Sequence, residues 1–187
     1  MNNRKAYFAR LAFEKEIERL KAEIERLSVD AVTGIAGRGV LDRELDNSFA
    51  RSKRSYRPMA VLMVDADNFK SVNDDFGHDV GDRVLRYVAE TLKSGTRRVD
   101  SIGRYGGEEF VVVIENTTPA GVAAMAENMR LLVESSNLPG YPLVTVSIGW
   151  SIQEHFDTCA TDILKRADAA MYAAKAGGRN RVERGEK

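Results

Sequence analysis

Four carboxylates stand where the chain changes direction: Asp65 and Asp67 end the apolar run 59–64, and Glu108 and Glu109 follow Tyr105-Gly106-Gly107. If that run and the apolar segment Phe110–Ile114 are neighbouring strands, the acids converge at one sheet edge, where strand ends hold side chains rigidly outside the core. No equal number of cations lies beside them in sequence. Such a cluster repels itself until a divalent cation neutralises it, and hard oxygen ligands suit magnesium, above all where phosphate oxygens complete the octahedron. Solvated turns are the commoner setting for clustered Asp, and spacing alone leaves the two readings even.

The elements that must position these acids alternate between two periodicities, the mark of a mixed α/β domain. Met59 to Val64 is a short continuous apolar run that suits a buried strand ending at Asp65. Residues 79–93 put Val80, Val84, Leu85, Val88 and Leu92 on one helical face; Phe110–Ile114 is a second apolar strand after a Gly-Gly turn. A helix after Pro119 carries Val122, Met125, Met129, Leu132 and Val133, and Val144–Ile152 is a third strand. Ile163, Leu164, Ala167, Ala170, Met171 and Ala174 mark a last helix that stops at Gly177-Gly178. The order is strand, helix, strand, strand, helix, strand, helix. A single sheet with helices on one face is the economical solution.

Residues 1–29 differ in kind, being charged and free of Gly and Pro, with Phe13, Ile17, Leu20, Ile24 and Leu27 spaced alternately four and three apart. Ile at the a positions and Leu at d favour a parallel two-stranded coiled coil; an amphipathic helix packed on its own domain is the alternative. The chain divides on this reading into a stalk, 1–29, and a domain, 30–187. With 187 residues, 43% of them apolar, there is material for one core plus an extra element. Lys+Arg and Asp+Glu balance at 28 each, which removes the simplest electrostatic case for a nucleic-acid polymer or an anionic membrane as partner. The lone Cys159 excludes an intramolecular disulfide and a multi-thiolate zinc site. No leader and no membrane-spanning apolar run appears, so a cytoplasmic protein is expected.

The residue types say more than their spacing. Gly106-Gly107-Glu108-Glu109-Phe110 is the GGEEF form of the signature that names the GGDEF family, the diguanylate cyclases. Upstream, Asp65-Ala66-Asp67-Asn68-Phe69-Lys70, Asn73-Asp74 and Gly77-His78-Asp79-Val80-Gly81-Asp82 resemble that family's D-x-D-x-F-K-x-x-N-D-x-x-G-H-x-x-G-D run. Asp30-Ala31-Val32-Thr33-Gly34 resembles its D-x-L-T-G start, and Lys165-Arg166-Ala167-Asp168 with Ala174–Asn180 resembles its closing helix and loop. The resemblance covers residues from about 28 to 184 and rests on four motifs in order.

What it implies is a ferredoxin-like nucleotidyl cyclase sheet with helices packed around it, preceded by an N-terminal helix. The implied reaction condenses two GTP molecules into cyclic di-GMP with release of pyrophosphate. Asp65 and Glu108 would hold two magnesium ions, manganese being possible, with the carbonyl of Ala66 as a further ligand. Glu108 would also act as base for the 3′-hydroxyl, Glu109 would shape the metal site and Lys70 would stabilise transition-state charge. Phe69 and its neighbours would offer backbone N–H groups to the phosphates, and Lys175 and Arg179 would grip the terminal ones. Asn73 and Asp82 would hydrogen-bond guanine, with His78 lining the pocket. Nucleotidyl transfer needs mainly positioning and charge neutralisation, which these types supply. An ionised Asp82 is acceptor-only and suits the N1–H and amine of guanine, whereas adenine offers an acceptor at N1.

Two phosphodiester bonds related by two-fold symmetry require two domains face to face, so the expected partner is a second copy held through the N-terminal helix. Arg97-Arg98-Val99-Asp100 matches the family's RxxD motif, in which Arg97 and Asp100 would bind cyclic di-GMP as an inhibitor; a surface ion pair is the ordinary alternative. The chain departs from the family at Ile35–Leu41, where the usual L-x-N-R-R-x-F loses its Asn, one Arg and the Phe. Linker geometry is affected there rather than metal binding. A silent cyclic di-GMP effector and a GTP-sensing dimerisation module are the other readings; an eroded GGEEF would mark the first and an attached enzymatic domain the second.

Overall fold

The computed structural model describes residues 2–27, 29–135 and 142–186. In chain order the elements are α1 (Asn2–Leu27), α2 (Arg38–Ser55), β1 (Ala60–Ala66), α3 (Phe69–Phe76), α4 (His78–Ser94), β2 (Ser101–Gly106), β3 (Glu109–Ile114), α5 (Pro119–Ser135), β4 (Val146–Ile152), α6 (Ala160–Ala176) and β5 (Val182–Arg184).

The strands form one sheet in the order β2-β3-β1-β4-β5. The central strand β1 pairs antiparallel with β3 and β4, β2 pairs antiparallel with β3, and β5 lies parallel to β4. Every residue of β1 is buried, which is why its sequence reads as an unbroken apolar run. Alternation then divides the side chains between two cores. Leu62, Val64, Phe110 and Val112 meet α4 through Val84, Leu85 and Val88, and α5 through Val122, Ala126 and Met129. Val61, Met63, Val111 and Val113 instead meet Leu41 and Leu45 of α2, and Ile163, Ala167 and Met171 of α6. Each fully buried aliphatic contributes about 2 kcal/mol.

Helices therefore cover both faces, correcting the one-faced sheet expected from element order. The expectation failed because element order does not say which face a helix takes: the expected α6 packs opposite α4 and α5, beside α2, whose few buried residues, Leu41, Leu45, Ser48 and Ser52, are too sparse an apolar pattern to announce a helix. Gly77, at φ 83°, separates the expected helix α4 from α3, an element absent from the expected order. The third strand starts at Val146, two residues later than expected, and β5 has only three residues. All the apolar positions predicted for α6 are buried. Gly149 admits that helix closely: a Cβ there would lie 2.0 Å from Met171 N and 2.1 Å from Ala167 O.

The predicted N-terminal helix is present as α1, with Phe13 and Leu20 exposed and Ile17 half-buried. The side chains of Ile24 and Leu27, which complete the heptads, lie outside the described residues. The divergent segment after Gly34 packs on β2: Ile35 is buried, Ala36 O accepts from Arg104 N at 2.8 Å, and Arg38 stacks 4.2 Å from the Tyr105 ring centroid.

Candidate active site

Antiparallel register puts Asp65 opposite Glu109, and Ala66 N donates to Glu108 O at 3.2 Å. The end of β1 and the Gly106-Gly107 turn therefore share one sheet edge. Arg104 holds that turn, donating to the carbonyl of Gly107 through Nε at 2.8 Å and Nη2 at 2.6 Å, while Nη1 reaches Asp30 at 3.1 Å. Asp30 also accepts the Thr33 N–H and hydroxyl. Burial opposes ionisation of Asp30, but these Thr33 and Arg104 contacts outweigh it and hold the carboxyl below its usual range. The segment just after α1 is thereby tied to the Gly-Gly turn.

Asp65 is buried, and the ammonium of Lys175 lies 2.6 Å from its Oδ2. Burial pushes the Asp65 carboxyl up to about 6; Lys175 opposes the shift, while Glu108 and Glu109 add to it. Among the described residues, Lys175 is the cation ion-paired to Asp65, and Glu108 and Glu109 add negative charge beside it. Among the described residues, no three His, Cys, Asp or Glu side chains close into a preformed metal cage. Carboxylate and carbonyl oxygens, as Asp65, Glu108 and Ala66 offer, are the donor type magnesium takes, one or two carboxylates sufficing where phosphates supply further oxygens.

The predicted four-acid cluster loses one member. Asp67 accepts hydrogen bonds from Thr145 Oγ1 at 2.7 Å, Ser147 Oγ at 2.6 Å and Asn180 N at 3.0 Å, and it is buried. Three of its roughly four acceptor sites are committed to the protein. Thr145 and Ser147, two residues apart in an otherwise apolar stretch, were the available signal: polar side chains on one face of a buried strand imply a buried acceptor. Asn180 and Arg104 were also missed as site residues, because nothing local in sequence marks their long-range contacts.

The remaining predicted residues lie on the two helices that follow β1 and at the end of α6. Phe69 opens α3, its ring in the core, so its backbone lies at a helix N-terminus where N–H groups lack intrahelical acceptors. Lys70 follows, exposed. Asn73 of α3 packs against Gly81 of α4, where a Cβ would fall 1.9 Å from Asn73 Oδ1; this close approach sets Asn73 beside the turn of α4 that bears exposed Asp82. His78, at the start of α4, is exposed. Lys175 comes from the last turn of α6, and Arg179 stands exposed just beyond it.

Arg97 and Asp100 lie at the opposite end of β2. Arg97 grips Asp100 through Nε at 2.9 Å and Nη2 at 2.8 Å, and also donates to Glu115 O at 2.8 Å. Asp100 accepts the N–H groups of Arg97 and Glu115 as well. The Glu115 side chain turns to Ser48 and Arg51 of α2.

The family model for the diguanylate cyclase GGDEF domain matches residues 27–181. The chain belongs to the GGDEF family. It is 40% identical over 168 residues to the response regulator PleD of Caulobacter vibrioides, an alignment covering 87% of this chain and 37% of that protein. A diguanylate cyclase of Vibrio cholerae is 36% identical over 168 residues, 89% of this chain and 52% of its own length. The chain thus spans about a third to a half of these relatives. Among solved structures, the coiled coil and GGDEF domain of DgcB from Caulobacter crescentus, in complex with c-di-GMP, superposes with a TM-score of 0.80 at 33% identity, covering 96% of this chain and 99% of that one. The active GGEEF domain of a Vibrio cholerae diguanylate cyclase gives 0.78 at 36% identity, covering 82% and 99%. The mixed α/β fold of a GGDEF domain is the fold found here.

Proposed function

We propose that the protein is a diguanylate cyclase that condenses two GTP molecules into cyclic di-GMP and two pyrophosphates across a homodimer. The observation that carries this is the sheet edge where Asp65, paired with the Lys175 ammonium at 2.6 Å, faces the intact Gly106-Gly107-Glu108-Glu109 turn. Asp65, Glu108 and the carbonyl of Ala66 fit two magnesium ions, or manganese. When bound, these ions would neutralise the triphosphate and make the 3′-hydroxyl more acidic.

Every other part is the protein's own. The carboxylate of Glu108 accepts the 3′-hydroxyl proton, and that oxygen bonds to the α-phosphorus of the GTP held by the facing domain. The bond from α-phosphorus to the bridging oxygen breaks as pyrophosphate leaves. Glu109 shapes the edge, and Lys70 lies against the charge that develops on the phosphates. Backbone N–H groups at Phe69 receive phosphate oxygens, while Lys175 and Arg179 hold the terminal phosphates. Asp82 accepts from guanine N1–H and its amine, with Asn73 beside it and His78 lining the pocket.

Two such events, related by a dyad, close the product ring. Residues 1–29 serve as the stalk that pairs two copies of the domain 30–187: Phe13 and Leu20, in d positions, are 68% and 49% exposed. Arg97 and Asp100 form the site for inhibitory cyclic di-GMP. No helix among the described residues is long and apolar enough to cross a membrane, and a GTP-consuming site belongs in the cytoplasm.

The test is incubation of the purified chain with GTP and magnesium, nucleotides being resolved by chromatography before and after stripping any bound product. Cyclic di-GMP and pyrophosphate are expected, and Glu108→Ala abolishes both. A stripped, confirmed dimer that stays silent, with Arg97→Ala silent too, would overturn the cyclase in favour of a binding module.

A further inference from the structure

The turn after α6 holds two successive non-glycine residues in the left-handed region, Arg179 at φ 64° and Asn180 at φ 45°. Each costs roughly 1 kcal/mol or more and persists only where neighbours over-determine it. Those neighbours gather on Asn180. Its N–H donates to Asp67 Oδ2 at 3.0 Å, its side-chain carbonyl accepts from Arg130 Nη1 at 2.7 Å, and its amide nitrogen donates to Glu134 Oε1 at 2.7 Å. Arg130 and Glu134 pair with each other at 2.8 Å, so the amide is inserted into an ion pair on α5. The Asn180 amide first, and Arg130 second, hold the Glu134 carboxyl below its usual range. Asp67 in turn is fixed by Thr145 and Ser147 at the start of β4. One side chain and one N–H therefore join α5 and, through Asp67 just beyond β1, Thr145 and Ser147 to a turn whose residues 176–179 are exposed. The clamp does not close a core; it fixes the direction of an exposed turn.

The geometry points to Asn180 as a positioning residue: held by Asp67 and by the Arg130–Glu134 pair, it locks the left-handed turn that aims Arg179, with Lys175 one helical turn before it, at the terminal phosphates of the nucleotide. The inference rests on the reading of Lys175 and Arg179 as the triphosphate grip. The choice of Asn follows from two requirements met together, a side chain tolerant of the left-handed region and one that both donates and accepts. Gly meets only the first. Asp keeps an acceptor for Arg130 but sets a carboxylate against Glu134.

The experiment measures binding of GMP and of a GTP analogue resistant to α–β cleavage, with magnesium, to the purified chain and four variants. Asn180→Asp is expected to weaken the analogue by about tenfold, the worth of one charge-assisted hydrogen bond, and to leave GMP within about twofold. Adding Glu134→Gln restores most of the loss, because the Gln amide donates to the new carboxylate. Asn180→Gly reproduces the selective loss without backbone strain, and it carries the test if Asn180→Asp does not fold. Arg179→Ala reports the grip itself. Equal weakening of analogue and GMP overturns the proposal, as does unchanged analogue binding in both Asn180 variants where Arg179→Ala loses affinity. If Arg179→Ala has no effect, the phosphate-grip reading fails first and the inference falls with it.

Discussion

The β2–β3 hairpin carries charge at both ends, and the two ends are built in opposite ways. At the Gly106-Gly107 end, Asp65 meets one ammonium, with Glu108 and Glu109 adding negative charge beside it. At the other end Arg97 and Asp100 cancel each other, and the backbone of Glu115 completes both of them. The first arrangement is destabilised by its own charges and, on the proposed function, gains when a cation and a phosphate arrive. The second is complete without a guest, so its charges hold the local backbone as well as any ligand. A charged residue at the first end is thus expected to matter for turnover more than for stability, and at the second end the order reverses.

The largest effect tests the first half of that contrast. Asp65→Asn should lower cyclic di-GMP formation on the order of 10³-fold while leaving the melting temperature unchanged or raised, since a desolvated charge beside two acids is gone. A marked fall in melting temperature would break the comparison. Asp100→Ala sharpens the other half: the Arg97 and Glu115 N–H groups lose their acceptor, and denaturant unfolding should record a loss of about 2 kcal/mol. An unchanged midpoint would mean that the second end is held by something else.

Arg97→Ala should cost less stability than Asp100→Ala, because its side chain is 47% exposed whereas that of Asp100 is 0% exposed. Inhibition by added cyclic di-GMP is the readout there; its midpoint should rise by about tenfold or more, and an unmoved midpoint would remove Arg97 from the inhibitory site. The smallest effect lies at the start of α6, the helix that delivers Lys175. Asp162 accepts the Thr158 N–H and hydroxyl and the Cys159 N–H, which hold its carboxyl down at about 2. A carboxyl lowered by folding stabilises the native state above its unfolded value of 3.8, and that contribution is lost as pH falls through about 2. The melting temperature of Asp162→Asn should therefore fall below that of the parent at pH 6 and approach it near pH 2. A gap that does not close would assign the cap to shape rather than charge.

Legibility varied with how locally each feature is encoded. The spacing of Val84, Leu85, Val88 and Leu92 was enough to find α4, and the run before Asp65 was enough to find β1, because both patterns are complete within one element. Helix α2 was not legible, since its two leucines make sense only beside Val111 and Val113. Asp67 read as a partner of Asp65 in a metal cluster, and only the fold reveals that donors 78 and 80 residues away claim its oxygens. The same distance hid Asn180, which meets Asp67, Arg130 and Glu134 across 113, 50 and 46 residues.

The sequence by itself determined the chemical inventory: the Gly-Gly turn with its acids, the D-x-D strand end, the Arg97–Asp100 spacing and the apolar periods of the main helices. Those are local facts, set by side-chain type and by the periods of strand and helix. Only the tertiary structure decided which charges stay unbalanced. Asp65 and Asp67 lie two residues apart and share one chemistry. One meets the ammonium of Lys175 and two further acids, while the other meets two hydroxyls and an N–H. A carboxylate takes its role from the donors and charges that folding brings within reach, and in this chain those come from distant elements.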